Sequence, residues 1–318
     1  KGLHNKFLAS LFAFFGVGVG LFGIGTFTQI NGITSAVKGF FDPDTIWTVD
    51  LFGRTYSWTV IIAGIILTIC VALVIIGGIK RISTVSQVIV PFMALTYVVV
   101  VLIIIVMHIT EVPAAFATII KSIIVAMQKG IARGIFSNEA GLGSAPIAAA
   151  AVQTDYPVKQ GLVSMLGTVI DTLIICTMTG LAIVLTGAWD MGLEGVAVTT
   201  KAFQLGLPFP NQVASFILMV CLVFFAFTTI LGWDYYSERC LEYLTGHKKA
   251  VVKAYRWLYI LAVFIGPFMT VSAVWTIADI FNGLMALPNL IAVTVLSGVV
   301  VAETKVYMDG LKKDKIQP

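Results

Sequence analysis

Charge is scarce in this chain, since Asp, Glu, Lys and Arg make up 11% of its 318 residues, against about 25% in an average soluble domain. So little charge excludes a disordered segment, a coiled coil, a nucleic-acid-binding domain and an ordinary soluble enzyme. The net charge of +4 is too small to indicate a polyanionic partner. The four cysteines form no CxxC pair and lie in or beside apolar runs, which predicts small buried side chains and no disulfide framework.

The sequence motifs of enzymes are missing as well. The sequence contains no HExxH motif, no P-loop and no dinucleotide-binding fingerprint. The acids inside the apolar runs, Glu139 and Asp171, are isolated in sequence, so neither paired acids nor a nucleophile with its base is indicated. The sequence opens at Lys1 without Met or a signal peptide, and we expect it to be the ordered remainder of a longer protein.

Apolar residues are abundant, at 58% of the chain with a mean hydropathy of +0.99. A membrane span needs about 20 mainly apolar residues, and runs this long and continuous are helices, because barrel strands have about ten residues and alternate. The prediction is an all-α polytopic membrane protein with about eight spans. The predicted spans are 7–37, 57–79, 88–107, 113–152, 162–186, 213–235, 258–277 and 283–302.

The span at 113–152 is too long for one simple helix. We predict an amphipathic helix near the membrane surface at 114–129, followed by the crossing itself at 130–152. The crossing is interrupted by the polar residues Ser137, Asn138 and Glu139, with glycines on both sides and a proline after them. Irregular backbone at membrane depth is tolerated only around a cavity or inside protein.

An interrupted span of this kind is typical of the binding site of a transporter. We expect the second half-helix to begin near Leu142 and to present its positive end to a carboxylate. A packing break without function is the alternative. For Glu139 three roles stay open, namely cation ligand, proton carrier and structural cap of the broken helix.

Polar side chains also interrupt two other spans. Thr228 and Thr229 offer adjacent hydroxyl oxygens that suit Na⁺, although a threonine can instead bond back to its own helix. Trp233 lies one turn after Thr229, on the same helix face, and it is either a wall of a pocket or a residue of the interfacial aromatic belt. Gln29 either lines the path or joins helices by hydrogen bonds.

Basic residues predict the orientation. With the N-terminus inside, the inner loops hold fourteen of the twenty Lys and Arg, the outer loops hold three, and the other three lie in the irregular segment. This asymmetry indicates that both ends of the chain are cytoplasmic. The predicted inner segments are 1–6, 80–87, 153–160, 236–257 and a cytoplasmic tail at 303–318.

Three stretches resemble the sodium:alanine/glycine symporter family of bacterial and archaeal amino-acid carriers. They are GIARGIFSNEAGLGSAPIAAAA (130–151), FAFTTILGWDYYSE (225–238) and GTFTQINGI (25–33). The resemblance extends over essentially the whole chain. It implies the leucine-transporter (LeuT) fold, in which two inverted five-helix repeats each begin with a broken helix. The chain would then hold the third to tenth core helices, the C-terminal portion of a single transporter domain, and would not transport without the family's N-terminal spans.

The function that the resemblance implies is Na⁺-coupled symport of small neutral amino acids by alternating access in the plasma membrane of a prokaryote. L-alanine and glycine are the implied substrates, with D-alanine as a further candidate, and no cofactor is implied other than Na⁺ as coupling ion. The implied Na⁺ ligands are Thr228 and Thr229. The implied substrate site consists of Phe136, Ser137, Asn138, Gln29, Trp233 and Thr229.

Two other functions stay open at this point. A proton-coupled amino-acid permease of the same architecture would use Glu139 as the proton carrier. A membrane-embedded enzyme or a channel would belong to a different class. Saturable uptake with competition by a few alanine analogues would exclude a channel, and the absence of any turnover product would exclude an enzyme.

Overall fold

The computed structural model describes residues 3–51, 53–121 and 123–312, and these are almost entirely helical. The predicted tail at 303–318 continues the last helix as far as Lys312, and its residues 313–318 lie outside the described part. In chain order the helices are α1 (Lys6–Phe22), α2 (Phe27–Phe41), α3 (Trp58–Ile76), α4 (Gly78–Met107), α5 (Val112–Lys121), α6 (Ile123–Asn138), α7 (Ala145–Ala149), α8 (Pro157–Val169), α9 (Thr177–Leu185), α10 (Val196–Gly206), α11 (Asn211–Thr245), α12 (Lys249–Ile265) and α13 (Val271–Lys312).

Seven segments of the described chain are long and apolar enough to cross a membrane. They confirm the expectation of a polytopic helical membrane protein, because helices satisfy their backbone polar groups internally. The predicted span at 113–152 is not among the seven, since it is divided among α5, α6 and α7. The seven segments are Lys6–Phe41, Trp58–Ile76, Gly78–Met107, Pro157–Leu185, Asn211–Thr245, Lys249–Phe268 and Val271–Lys312.

The 35-residue helix α11 lies at the centre of the described residues and packs against α1, α2, α3, α4, α10 and α12. Its buried Ile230 contributes to an apolar core together with Ile30 of α2 and Tyr259 of α12. The hydroxyl of Tyr259 donates to the carbonyl oxygens of Ile230 at 2.7 Å and Gly25 at 3.2 Å. This buried hydroxyl therefore ties three segments of the core together.

The first predicted span is interrupted, which the sequence analysis missed. The helix stops at Phe22 and resumes at Phe27. Side chains satisfy the carbonyls of the interruption, because the Thr26 hydroxyl donates to Leu21 and the Gln29 amide donates to Ile24. Gly25 packs so closely against α11 that a Cβ built on it would lie 2.5 Å from the Cβ of Trp233.

The predicted boundaries of the last two spans, 258–277 and 283–302, are wrong. The helix α12 begins already at Lys249, the chain turns at 266–270, and α13 continues from Val271 for 42 residues. The polar residues Asp279 and Asn282 look like a loop between apolar runs, but they lie within α13. Their side chains find partners or burial against other helices, which a hydropathy pattern does not report.

A two-stranded antiparallel hairpin corrects the purely helical prediction. Its strands are β1 (Thr48–Leu51) and β2 (Arg54–Ser57), and Thr48 pairs with Ser57. Gly53 supplies a left-handed conformation at the turn, with φ of +75°, which costs glycine little. The Ser57 hydroxyl donates to Asp42 at 2.6 Å and so fixes the hairpin to the end of α2.

Candidate functional site

The predicted interruption of 130–146 is present, between α6 and α7. The backbone adopts left-handed conformations at Glu139 (φ +56°), Gly141 (φ +85°) and Gly143 (φ +88°). These alternate left-handed positions stop helix growth, because only glycine adopts them without steric cost. We refer to 139–144 as the break.

The lengths of the two half-helices differ from the prediction. The crossing does not start at residue 130, because α6 runs from Ile123 to Asn138, through the predicted end of the amphipathic helix. The second half-helix begins at Ala145 and not near Leu142, and it ends after five residues. A single turn carries little of the helix dipole, so the predicted role of this helix in holding a carboxylate is not supported by its length.

Side chains close the break from within. The Ser144 hydroxyl, which is fully buried, donates to Glu139 Oε2 at 2.6 Å. Asn138 Oδ1 accepts from the Ala140 N–H at 2.9 Å, and Asn289 of α13 donates to the Gly141 carbonyl at 2.9 Å. Glu139 thus spans the break in the way expected of a structural cap, while its part in coupling stays a prediction.

A neighbouring irregular helix binds the other two polar residues of this stretch. Ser137 donates to Asp171 Oδ1 at 2.9 Å, and Asn138 donates to Thr172 Oγ1 at 2.7 Å. Asp171 and Thr172 lie in one wide, π-type turn at Ile170–Cys176 between α8 and α9, a geometry that is frequent at functional sites. The sequence analysis noticed Asp171 as an isolated acid but did not assign it to the site, and it missed Thr172.

Phe136 lies in an aromatic and charged contact between α6 and α13. Its ring centroid is 4.9 Å from that of Trp275, and the Arg133 guanidinium lies 4.2 Å above the Trp275 ring. The same guanidinium binds both carboxylate oxygens of Asp279, at 2.8 and 3.1 Å. Trp275 and Asp279 escaped the sequence analysis because they lie near the wrongly placed boundary of the last two spans.

The hydroxyls predicted to bind Na⁺ are engaged with their own helix. Thr228 donates to the Phe225 carbonyl at 2.9 Å, and Thr229 donates to the same carbonyl at 3.0 Å. This is the alternative considered from the sequence. A donating hydroxyl keeps lone pairs on its oxygen, so the geometry is compatible with a cation ligand, and the Na⁺ assignment stays a prediction.

Trp233 lies in the interior, not in an interfacial aromatic belt. Its side chain is 1% exposed, and the indole Nε1 has no hydrogen-bond acceptor among the residues that the structure describes. It packs with one apolar residue from each of four segments, namely α1, the interruption at 23–26, the break and α13. Phe136 of α6 packs against the same group. We call this group the central cluster; its members are Val19, Ile24, Leu142, Trp233 and Met285.

Two cavities lie on opposite sides of the central cluster. The first, cavity A, has a volume of about 680 Å³ and is lined among others by Thr28, Phe225 and Trp275. The second, cavity B, has a volume of about 610 Å³ and is lined among others by Ala13, Cys240 and Pro288. Along the first span, along α11 and along α13, the cluster residues lie between the residues of the two cavities. The cluster therefore separates the two cavities.

The chain matches the model of the sodium:alanine symporter family over residues 1–318. It is 50% identical to a Haemophilus influenzae protein named only as a transporter, over 98% of this chain and 68% of that protein. It is 42% identical to the sodium/alanine symporter AgcS of Methanococcus maripaludis, over 99% of this chain and 69% of that protein. It is 36% identical to the amino-acid carrier protein AlsT of Bacillus subtilis, over 99% and 65%.

The chain spans about two thirds of the length of these relatives. The family match nevertheless covers all of its residues, and this family is one of membrane transporters and not of enzymes. The chain belongs to the sodium:alanine symporter family.

Proposed function

We propose that this chain is the major part of a Na⁺-coupled symporter for small neutral amino acids, with L-alanine and glycine as its substrates and D-alanine as a further candidate. The family match and a relative named as a sodium/alanine symporter support this proposal. Another relative, 34% identical, is named as a probable sodium/glutamine symporter. The family alone therefore does not decide the substrate, and we expect the side chains of the proposed substrate site to decide it.

The observation that supports the proposal best is the break beside the central cluster, with a cavity on either side. In alternating access a substrate site is exposed first to one side of the membrane and then to the other. A barrier one cluster thick needs only small helix movements to open toward cavity A or cavity B. In this proposal α6 with its break moves against α11 and α13.

The proposed substrate site is small because aromatic side chains limit it. Phe136 and Trp233 form its walls, and the polar groups beside the break hold the ammonium and carboxylate groups. Filling space in this way discriminates by about 1–3 kcal/mol for each methylene group of the substrate. The proposed residues are Phe136, Ser137, Asn138, Gln29, Trp233 and Thr229.

Na⁺ is proposed to bind beside Thr228 and Thr229. Each hydroxyl donates its hydrogen to a carbonyl of α11. The lone pairs of each hydroxyl oxygen therefore stay available to bind a cation. Carbonyl oxygens of interrupted helices supply further ligands in transporters built in this way. The role of Na⁺ is to stabilise the arrangement of helices that binds the amino acid.

The orientation and the domain organisation are part of the same proposal. The basic residues favour a plasma-membrane protein of a prokaryote with both ends of this chain in the cytoplasm. Residues 1–318 then form one transmembrane transporter domain together with the remaining third of the family's length.

A proton-coupled permease is the alternative, and two observations favour it over other classes. Glu139 is a carboxylate at the break, and a Bacillus relative, 32% identical, is named a sodium/proton-dependent alanine carrier protein. In this alternative Glu139 gains and loses the coupled proton, while in the leading proposal it caps the break.

Alanine uptake by the intact transporter in proteoliposomes separates the two proposals. We expect uptake to follow an imposed Na⁺ gradient, to stop when choline replaces Na⁺, and to persist in Glu139→Gln, because the amide keeps the shape of the cap. Glu111→Gln, in an exposed turn before α5, is the matched control. Uptake that follows a proton gradient without Na⁺, and is lost in Glu139→Gln but not in Glu111→Gln, would establish the alternative.

A further inference from the structure

Asp234 is a buried acid that the proposed transport cycle does not use. It lies on α11 directly after Trp233, and 1% of it is exposed. Its Oδ1 is buried without a hydrogen-bond partner among the residues that the structure describes. A carboxylate in such a place is costly when ionised, and an unpaired acid within a membrane span is a candidate functional residue.

The neighbouring arginines are already paired with other acids. Arg256 of α12 binds both carboxylate oxygens of Glu238, at 2.6 and 3.0 Å. Arg239 lies 2.6 Å from Glu242 and 3.3 Å from Glu238. This part of α11 carries three acids, Asp234, Glu238 and Glu242, and only two guanidinium groups lie beside them. Asp234 is the acid that is left without an arginine partner.

A cavity of about 290 Å³ lies beside Asp234. Its wall includes the junction of α3 and α4 at Gly77 and the exposed side chain of Lys80, together with Tyr235, Glu238, Arg239 and Arg256. The cavity therefore extends from the buried carboxyl to the surface. Its volume is several times the share of about 30 Å³ that one molecule takes in liquid water, so the cavity has room for water beside the buried carboxyl of Asp234.

Other titratable groups around Asp234 are few. From α12 these are Tyr255, which is buried, and Tyr259, whose hydroxyl is engaged with two carbonyls. The charged residues of α1 and α2, which also pack on α11, are Lys6 and Lys38 at the far ends of those helices. The other basic residues of α12 are Lys249 and Lys253 in its first two turns, and α4 places the exposed Lys80 in the cavity wall. Among the described residues, no basic side chain forms an ion pair with Asp234 itself.

We propose that Asp234 is a proton-binding site of the transporter, reached by water through this cavity. The carboxylate takes a proton from a hydronium ion, an O–H bond forms, and a water molecule remains in the cavity. The ligand is a proton and not a metal ion, because the described residues include no group of three or more His, Cys, Asp or Glu side chains that could hold a metal ion. The site is separate from Glu139 at the break.

The proton changes how α11 contacts α12. Neutral Asp234 leaves Arg256 to Glu238, which is the arrangement in this structure. Ionised Asp234 competes with Glu238 for the same guanidinium, so loss of the proton weakens this α11–α12 contact. The expected consequence is that proton binding favours the conformation described here.

Infrared difference spectroscopy on the intact transporter in lipid tests the site directly. Between about pH 5 and about pH 9, the range that a buried carboxyl reaches, we expect a carboxylic-acid C=O band that disappears as the pH rises. Asp234→Asn should lose this band, and Asp309→Asn, an exposed acid of α13, should keep it. An unchanged band in Asp234→Asn, or no band in the wild type, would overturn the proposal.

Two further measurements distinguish loss of the proton site from misfolding and from loss of transport. Asp234→Glu should retain a titrating band at a shifted frequency, and its loss in a folded variant counts against the proposal. Replacing choline by increasing Na⁺ at constant ionic strength should shift the midpoint of the titration only by a limited amount that saturates, because Na⁺ acts through the conformation and not at Asp234. A midpoint that keeps falling in proportion to the logarithm of the Na⁺ concentration, without a limit, would mean that Na⁺ is the occupant and would overturn the proposal. None of these readouts depends on uptake, so their failure is distinguishable from failure of the symport proposal.

Discussion

The geometry of the break depends on two glycines whose surroundings differ. Gly141 and Gly143 both have strongly positive φ, +85° and +88°. A Cβ on Gly141 would meet only Leu290, at an ordinary distance of 3.6 Å. A Cβ on Gly143 would lie 2.7 Å from Phe12 and 2.8 Å from the amide of Asn289. Changing each glycine to alanine therefore separates the cost of the conformation from the cost of the contact.

The magnitudes follow from these contacts. Holding alanine in a left-handed conformation costs about 1–2 kcal/mol, partly offset by about 0.4–1 kcal/mol from the stiffer unfolded chain. We expect Gly141→Ala to lower the free energy of unfolding by about 1 kcal/mol. Gly143→Ala adds overpacking, about 1–3 kcal/mol, and displaces the Asn289 amide from the Gly141 carbonyl, about 0.5–1.5 kcal/mol. The second variant should lose about 2–4 kcal/mol more than the first.

Denaturant or thermal unfolding of the intact transporter, with both variants in the same lipid, measures this difference. Asn289→Ala alone should reproduce the hydrogen-bond part of the loss and not the steric part. If Gly141→Ala and Gly143→Ala are destabilised equally, the close approach of Gly143 to Asn289 and Phe12 is not a constraint, and the account of the break given above is refuted.

Three further changes test other parts of the molecule. Thr229→Val, and less strongly Thr228→Val, should raise the Na⁺ concentration at half-maximal alanine binding while leaving the alanine affinity at saturating Na⁺ nearly unchanged; an unmoved midpoint in both variants excludes them as ligands. Phe136→Ala should weaken alanine binding and relax the selection against valine and leucine in competition assays, and an unaltered competition profile removes Phe136 from the pocket. The hydrogen bond from Ser57 lowers the pKa of Asp42. The stability that this hydrogen bond contributes is therefore fully present above the ordinary aspartate pKa of about 4, and it is lost as the pH falls through the lowered pKa of Asp42. The stability difference between wild type and Asp42→Asn should therefore shrink on acidification, and a difference independent of pH would contradict the assignment.

The break was predictable because its cause is local. Glycines, a proline and three polar residues within 130–146 all disfavour a continuous helix, and no distant contact is needed to recognise them. The same reasoning named a bond to the preceding turn as one of two alternatives for Thr228 and Thr229, since such a bond needs only the residue's own helix. The local sequence did not predict that the second half-helix has only five residues.

The other features depend on residues far apart in the sequence. The interruption at 23–26 packs against Trp233, and the bond between Arg133 and Asp279 joins residues 146 positions apart. Hydropathy placed Asp279 in a loop because an acid interrupts an apolar run. It is tolerated inside a helix because a guanidinium from α6 binds it, which is a fact of tertiary structure that no local pattern contains.

The helix α11 connects the proposed sites physically. Thr229, Trp233 and Asp234 lie within six residues, so the first and the last are about 7.5 Å apart along the axis. They belong to the proposed Na⁺ site, the central cluster and the cavity of the proposed proton site respectively. A rigid helix cannot shift one of these side chains without moving the other two. If loss of the Asp234 proton changes the contact of α11 with α12, the displacement reaches Trp233 and the barrier between cavity A and cavity B. Proton occupancy at one face of α11 then biases the same conformational equilibrium that Na⁺ biases at another, so the two ions are coupled without sharing a site.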